Sequence, residues 1–152
     1  MSLKWYRMPR MVALKSSTPV LEAARAIENN NIGAIVVVDD GSVVGMVTDR
    51  DLAVRVLGPG LDARTTSLAA VMTTPVATLS PADSQRRAIQ LMQQCNIRRI
   101  PLVEAGRLVG IVTLDDLLLD EAAPLDQLSE VVEAQIGAGA WATTPRSSRR
   151  SS

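Results

Sequence analysis

The chain has 152 residues, 47% of them apolar, with 16 basic and 16 acidic side chains, no histidine and a single cysteine, Cys95. Zero net charge leaves no global field to draw it to nucleic acid or an anionic membrane. The missing histidine removes imidazole acid–base chemistry and His-ligated metals, and one thiol makes neither an internal disulfide nor a thiolate cluster.

With no Phe and 2% aromatic residues, the core has to be aliphatic. A lone cysteine suits a reducing, cytoplasmic setting, and Cys95 reads as an inert core thiol. The first residues lack the apolar core of a signal peptide. No apolar run approaches the ~20 residues that span a bilayer, so no membrane contact is expected.

After a lead-in carrying Lys4, Arg7 and Arg10, Met11 to Leu14 suits a short strand. Thr18-Pro19 predicts a helix start, with Thr as N-cap and Pro at the first helical position. Val20, Ala23, Ala24 and Ile27 follow on one apolar face, and Asn29 to Asn31 end the helix. Gly33 to Val38 is an apolar run of strand length. Asp39-Asp-Gly-Ser turns the chain into Val43–Val47, a hairpin. Thr48 opens a helix from Asp49 to about Leu57, stopped by Gly58-Pro-Gly60.

Residues 58–70 read as a connector, and Leu68 to Thr73 as a short helical turn. Val76–Leu79 is then expected as a strand. Ser80-Pro81-Ala-Asp83 predicts a capped helix start. That helix has Ala88, Ile89 and Met92 on its apolar face, with Gln85 standing where the first helix has Val20. Ile97–Val103 and Leu108–Val112 predict a second hairpin, followed by a helix from Thr113 that Pro124 breaks. Leu125, Leu128, Val132 and Ile136 mark an amphipathic C-terminal helix. The Gly-, Ala-, Thr-, Ser- and Arg-rich end is expected to be mobile, its Arg146, Arg149 and Arg150 solvated.

This order is a repeat. Asp39 to Leu52 returns as Glu104 to Leu117 at a constant offset of 65 residues, so that Gly41, Gly45, Thr48, Asp51 and Leu52 fall on Gly106, Gly110, Thr113, Asp116 and Leu117. One unit of roughly 60 residues buries only about 60% of its unfolded surface and is marginal alone. Two units are therefore expected to pack face to face and share a core. The reading is an α/β (α+β layered) protein of two β-α-β-β-α units. Its parts are 1–57 (first unit with lead-in), 58–70 (connector), 71–122 (second unit) and 123–152 (C-terminal helix and flexible tail).

Gly45-Met-Val-Thr48-Asp-Arg-Asp51-Leu52 and Gly110-Ile-Val-Thr113-Leu-Asp-Asp116-Leu117, with Val71-Met-Thr73 and Arg98-Arg-Ile-Pro-Leu-Val103, resemble the cystathionine-β-synthase (CBS) domain family. The resemblance covers about residues 9–122 and is nearest to small stand-alone bacterial proteins made of one CBS pair. It implies a pseudo-two-fold pair (a Bateman module) that binds adenosine-containing ligands in two clefts, forms a homodimer and regulates rather than catalyses.

Each Thr-x-x-Asp is placed at a strand-to-helix junction, where free N–H groups attract anions and a carboxylate can accept both hydroxyls of a ribose. The same spacing is that of an ordinary capping box, in which the two residues only cap a helix. By the resemblance, Thr48 and Asp51 are completed by Thr78, Arg98, Arg99, Ile100 and Pro101, whose guanidinium groups suit a phosphate tail. Arg50 either reaches that phosphate or faces water. Thr113 and Asp116 are completed by Ala13, Gly33, Ala34 and Ile35, where Ala34 replaces an arginine, so this cleft is expected to be empty or to take a neutral adenosine end.

Met72 and Met92 read as packing. The expected function is a non-enzymatic sensor of AMP, ADP or ATP, homodimeric through the helices carrying Leu52, Val54, Val56, Leu117, Leu118 and Leu119, and acting on a downstream protein partner without nucleic acid. No cofactor or metal is expected. The alternative is a homodimeric structural or interaction protein with no ligand.

Overall fold

A computed structural model describes residues 1–6, 11–120 and 124–138. Unit one runs through β1 (Ala13–Leu14), α1 (Val20–Asn30), β2 (Ala34–Asp39), β3 (Ser42–Thr48) and α2 (Asp49–Leu52), which continues as a π turn over Ala53–Leu57. A short α3 (Leu68–Val71) leads into unit two: α4 (Gln85–Cys95), β4 (Arg99–Glu104), β5 (Arg107–Thr113) and α5 (Leu114–Leu119). The last element is α6 (Leu125–Ala138).

The two hairpins are built alike. Asp40 and Gly41 have φ of 52° and 82°, and Ala105 and Gly106 of 49° and 76°. Two successive left-handed residues are what a two-residue turn needs to match the twist of its strands. The register is also shared, Ala34 opposite Thr48 and Arg99 opposite Thr113, with an irregularity at Val37/Val38 and again at Leu102/Val103. The hairpin tips join the units, Leu108 N–H donating to the Gly41 carbonyl at 3.1 Å.

The expected strand at Val76–Leu79 shrinks to one parallel bridge, Leu79 to Leu102. Its counterpart β1 pairs with β2 partly through Val36 N–H donating to the Val12 carbonyl. The residue 65 positions after Val36 is Pro101, which has no N–H to give. That rung is lost, and the first strand of unit two goes with it.

The helix starts also differ from expectation. Pro19 is the N-cap of α1, with no side-chain cap, and α4 begins at Gln85 behind Ser84, whose Oγ accepts from Arg87 N–H. Ser80 and Asp83 close a turn ahead of it instead. The reason is a swap of lead-ins. Thr66 carbonyl takes the Val20 N–H and Leu68 N–H donates to Thr18, so the lead-in of unit two docks on the start of α1. Met1 carbonyl takes the Gln85 N–H and Leu3 N–H donates to Asp83, so the lead-in of unit one docks on the start of α4. The first N–H of each helix, one of its orphan donors, is thereby satisfied by the other unit's backbone.

The apolar interior follows this swap and is not one shared core. One cluster gathers Ile35, Val37 and Val47 of unit one with Leu68 and Val71. The other gathers Ile100, Leu102 and Leu117 of unit two with Leu3 and Tyr6, and with Leu128 and Val131 of α6. Met72 packs on Gly45 so closely that a Cβ there would clash with its Sδ, and Met92 is fully buried. Cys95, expected in the core, is exposed at the end of α4. The tail expected to be mobile begins at Gly137; Gly137 and Ala138 instead close α6, and residues 139–152 lie outside the described residues. No described helix is long and apolar enough to cross a membrane.

Candidate functional site

Strand alternation decides what each unit offers to the space between them. Along β2, Ile35 and Val37 enter the core, while Ala34 and Val36 line a cavity of about 640 Å³. Along β4, Ile100 and Leu102 enter the other core, and Arg99 lines the same cavity. Thr113, Asp115 and Asp116 close it from the β5–α5 junction.

Both Thr-x-x-Asp segments form complete capping boxes. Asp51 Oδ2 accepts from Thr48 N–H at 2.9 Å, and Thr48 Oγ1 accepts from Asp51 N–H at 3.1 Å. Asp116 Oδ2 accepts from Thr113 N–H at 3.0 Å and from the Thr113 hydroxyl at 2.7 Å, and Thr113 Oγ1 accepts from Asp116 N–H at 3.1 Å. Capping engages one oxygen of each carboxylate and holds the group still. Oδ1 of Asp51 lies 3.9 Å from Arg55 Nη2, and Oδ1 of Asp116 accepts no hydrogen bond among the described residues. Capping and ligand binding are therefore compatible uses of the same side chain.

The cavity brings together Gly33, Ala34, Thr113 and Asp116. Ala13 is exposed on β1, and the Ile35 side chain is fully buried in the unit-one core. Arg99, grouped by the resemblance with the Thr48 and Asp51 cleft, lines the Thr113 and Asp116 cavity. Its Nη2 lies 2.6 Å from where a Cβ on Gly33 would stand, so glycine is what lets the guanidinium cross between the units. Of the other residues grouped with Thr48 and Asp51, Ile100 and Pro101 are buried, while Thr78, Arg98 and Arg50 are exposed. Among the described residues, no hydrogen bond or ion pair ties these five to Thr48 or Asp51.

Tyr6, Met11, Asp115 and Asp120 are among the lining residues that were not singled out as site residues from the sequence. The Tyr6 hydroxyl donates to Asp120 Oδ2 and accepts from Gln85 Nε2 at 2.9 Å. This explains a buried glutamine at the position where unit one has Val20. Burial, and then the Asp120 carboxylate, raise the Tyr6 hydroxyl from a pKa of 10.0 to about 12. The repeat offset carried a signal for Tyr6, since it points from Val71, but only the lead-in swap puts that residue beside Asp116. No group of three or more metal-ligating side chains occurs among the described residues.

Comparison with known proteins agrees with this architecture. The family model for the CBS domain matches residues 7–58 and again 68–121. The CBS domain-containing protein YhcV of Bacillus subtilis is 38% identical over 120 residues, 79% of this chain and 85% of its own length. CBSCBSPB2 of Arabidopsis thaliana is 26% identical over 85% of this chain, but that stretch is 24% of the plant protein. Among solved structures, the CBS domain pair of protein MJ0100, in complex with 5′-methylthioadenosine and S-adenosyl-L-methionine, superposes with a TM-score of 0.70 at 26% identity, covering 81% of this chain and 98% of that one. An uncharacterized conserved protein of Pyrococcus horikoshii has a TM-score of 0.70 at 33% identity, over 81% of this chain and 93% of that one. With two matched domains, a shared register and lead-in contacts that recur at the 65-residue offset, the chain belongs to the CBS domain family as a tandem pair.

Proposed function

We propose that this chain is a regulatory module that binds an adenosine-containing ligand between its two units and passes its state to a protein partner. The observation that carries the reading is the cavity in which Asp116, fixed through Oδ2 but with Oδ1 unengaged among the described residues, faces Gly33 and Ala34 of the opposite unit, with Arg99 of its own unit reaching across to Gly33. A volume of about 640 Å³ falls in the range of small-molecule sites. The ligand complex of MJ0100 supports an adenosyl group as occupant. The Asp116 carboxylate would hold the ribose hydroxyls, and Arg99 would reach a 5′ substituent. A second cleft at Thr48 and Asp51, which the family resemblance completes with Thr78, Arg98 and Arg50, would take an adenine nucleotide. The module acts by binding, not by turnover, and as a homodimer.

Calorimetric titration of adenosine, AMP, ATP and S-adenosylmethionine into the protein and its Asp51 and Asp116 variants tests this. A charge-assisted hydrogen bond contributes ~1.5–3 kcal/mol, so Asp116→Ala and Asp51→Ala should each weaken binding at their own cleft by roughly 10- to 100-fold. Asp→Asn keeps the cap and separates folding from binding. Unchanged affinity in both pairs of variants would sink the site assignment. If no compound binds or raises the melting midpoint, the second reading stands, an interaction protein whose two aspartates only cap helices. The completeness of both capping boxes favours that reading.

A further inference from the structure

Positions 55 and 120 are the same place in the repeat, and both grip a lead-in. Arg55 Nη1 donates to the Val71 carbonyl at 2.8 Å and to Thr73 Oγ1 at 3.1 Å. Asp120 Oδ2 accepts from the hydroxyl of Tyr6, the residue 65 positions before Val71. One latch is a cation on a carbonyl and the other a carboxylate on a phenol, so the chemistry differs while the place and the target agree. Each latch residue also follows the Asp of its Thr-x-x-Asp by four positions. Arg55 Nη2 is 3.9 Å from Asp51 Oδ1, and Asp120 lines the cavity together with Asp116 and Tyr6.

The grip falls where the lead-ins hold the molecule together. Thr73 exchanges both backbone hydrogen bonds with Met46 of β3, at 2.8 and 3.1 Å. Leu3 and Tyr6 are buried in the unit-two core, and Leu68 and Val71 in that of unit one. A segment that is both a wall of the cavity and a part of the core cannot loosen without changing both.

We propose that Arg55 and Asp120 are positioning residues that latch the swapped lead-ins beside the two cleft carboxylates, so that docking of residues 1–6 and filling of the Asp116 cavity form one coupled equilibrium. The latch is independent of any ligand, whereas the coupling rests on the adenosyl-binding reading given above. Coupling of this kind is reciprocal: a ligand that needs the wall in place stabilises the docked lead-in by the same factor by which docking improves its affinity.

Amide hydrogen exchange on the full chain tests the latch without ligand, the Leu3 and Thr73 amides reporting the two lead-ins. Tyr6→Phe should speed exchange over Leu3–Tyr6 by roughly 10- to 100-fold, the loss of one hydrogen bond to a charged group, and leave Thr73 unchanged. Arg55→Gln should do the converse. Asp120→Asn, which keeps an acceptor, should fall between Tyr6→Phe and the unmodified chain. Adenosine should slow Leu3–Tyr6 exchange in the unmodified protein, and Tyr6→Phe should weaken adenosine at the Asp116 cavity by a similar factor.

Exchange at Leu3 within about twofold of the unmodified chain, a change too small for a lost charged hydrogen bond, overturns the latch. So does equal acceleration at every amide, which would mark global destabilisation instead. Adenosine binding without slower exchange at Leu3–Tyr6 overturns the coupling alone. If adenosine, AMP and S-adenosylmethionine all fail to bind, the proposed function falls and takes the coupling with it, and the exchange of the unliganded variants still decides the latch.

Discussion

At the scale of single residues, Tyr6 connects folding to the cavity most directly. It is the one tyrosine of the chain, and its hydroxyl sits between a carboxylate that accepts its proton and an amide that donates to it. Its pKa is raised from 10.0 to about 12, first by burial and then by the Asp120 hydrogen bond. The folded state therefore prefers the protonated phenol. Its contribution to stability is complete below pH 10 and is lost as pH rises through about 12. Tyrosinate absorbance should titrate near pH 12 in the folded protein, and urea midpoints should fall less between pH 10 and 12 in Tyr6→Phe than in the unmodified chain. A titration midpoint at 10 would show that the hydroxyl is solvated instead.

At the scale of elements, α6 docks on unit two through Leu128 and Val131, with Val132 packed partly against the same core, and leaves Leu125 outside. Leu128 is 2% exposed and Val131 fully buried against unit two, whereas Leu125 is 78% exposed. Gln93 Nε2 of α4 adds hydrogen bonds to Gln127 O and to Glu130 Oε2. Removing a buried leucine side chain costs about 2–5 kcal/mol, according to how far the site collapses. Leu128→Ala should therefore lower stability by that amount in urea denaturation. Leu125→Ala should change it by no more than about 0.5 kcal/mol. Equal losses for the two would mean that α6 docks through another face.

At the scale of the whole molecule, the helices after each Thr-x-x-Asp divide their apolar residues between the core and the outside. Val56 and Leu117 are buried and Leu52 packs against the unit-one core. Val54, Leu57, Leu118 and Leu119 are 57%, 78%, 39% and 83% exposed. Large apolar side chains concentrated at such helices mark a surface that association covers. The proposed homodimer would use this face. Light scattering should give twice the chain mass, and Leu57→Asp with Leu119→Asp should give the monomer mass while leaving the melting curve of a folded protein. A monomer mass for the unmodified chain would contradict the dimer.

Periodicity, turn chemistry and the 65-residue offset by themselves determined two like units, their hairpins, the helix after each Thr-x-x-Asp and the family, because these depend on neighbours a few residues apart. They misplaced the starts of α1 and α4, predicted a strand at Val76–Leu79 and buried Cys95. The helix starts are capped by backbone from the other unit, and Pro101 removes a rung that only pairing across strands makes visible. Tertiary structure alone decided that the lead-ins exchange places, that two cores form instead of one, and that Arg99 crosses over Gly33 to the Asp116 cavity. Contacts between residues tens of positions apart are chosen by which docking satisfies exposed helix N–H groups and covers apolar surface together, and no local pattern encodes that choice.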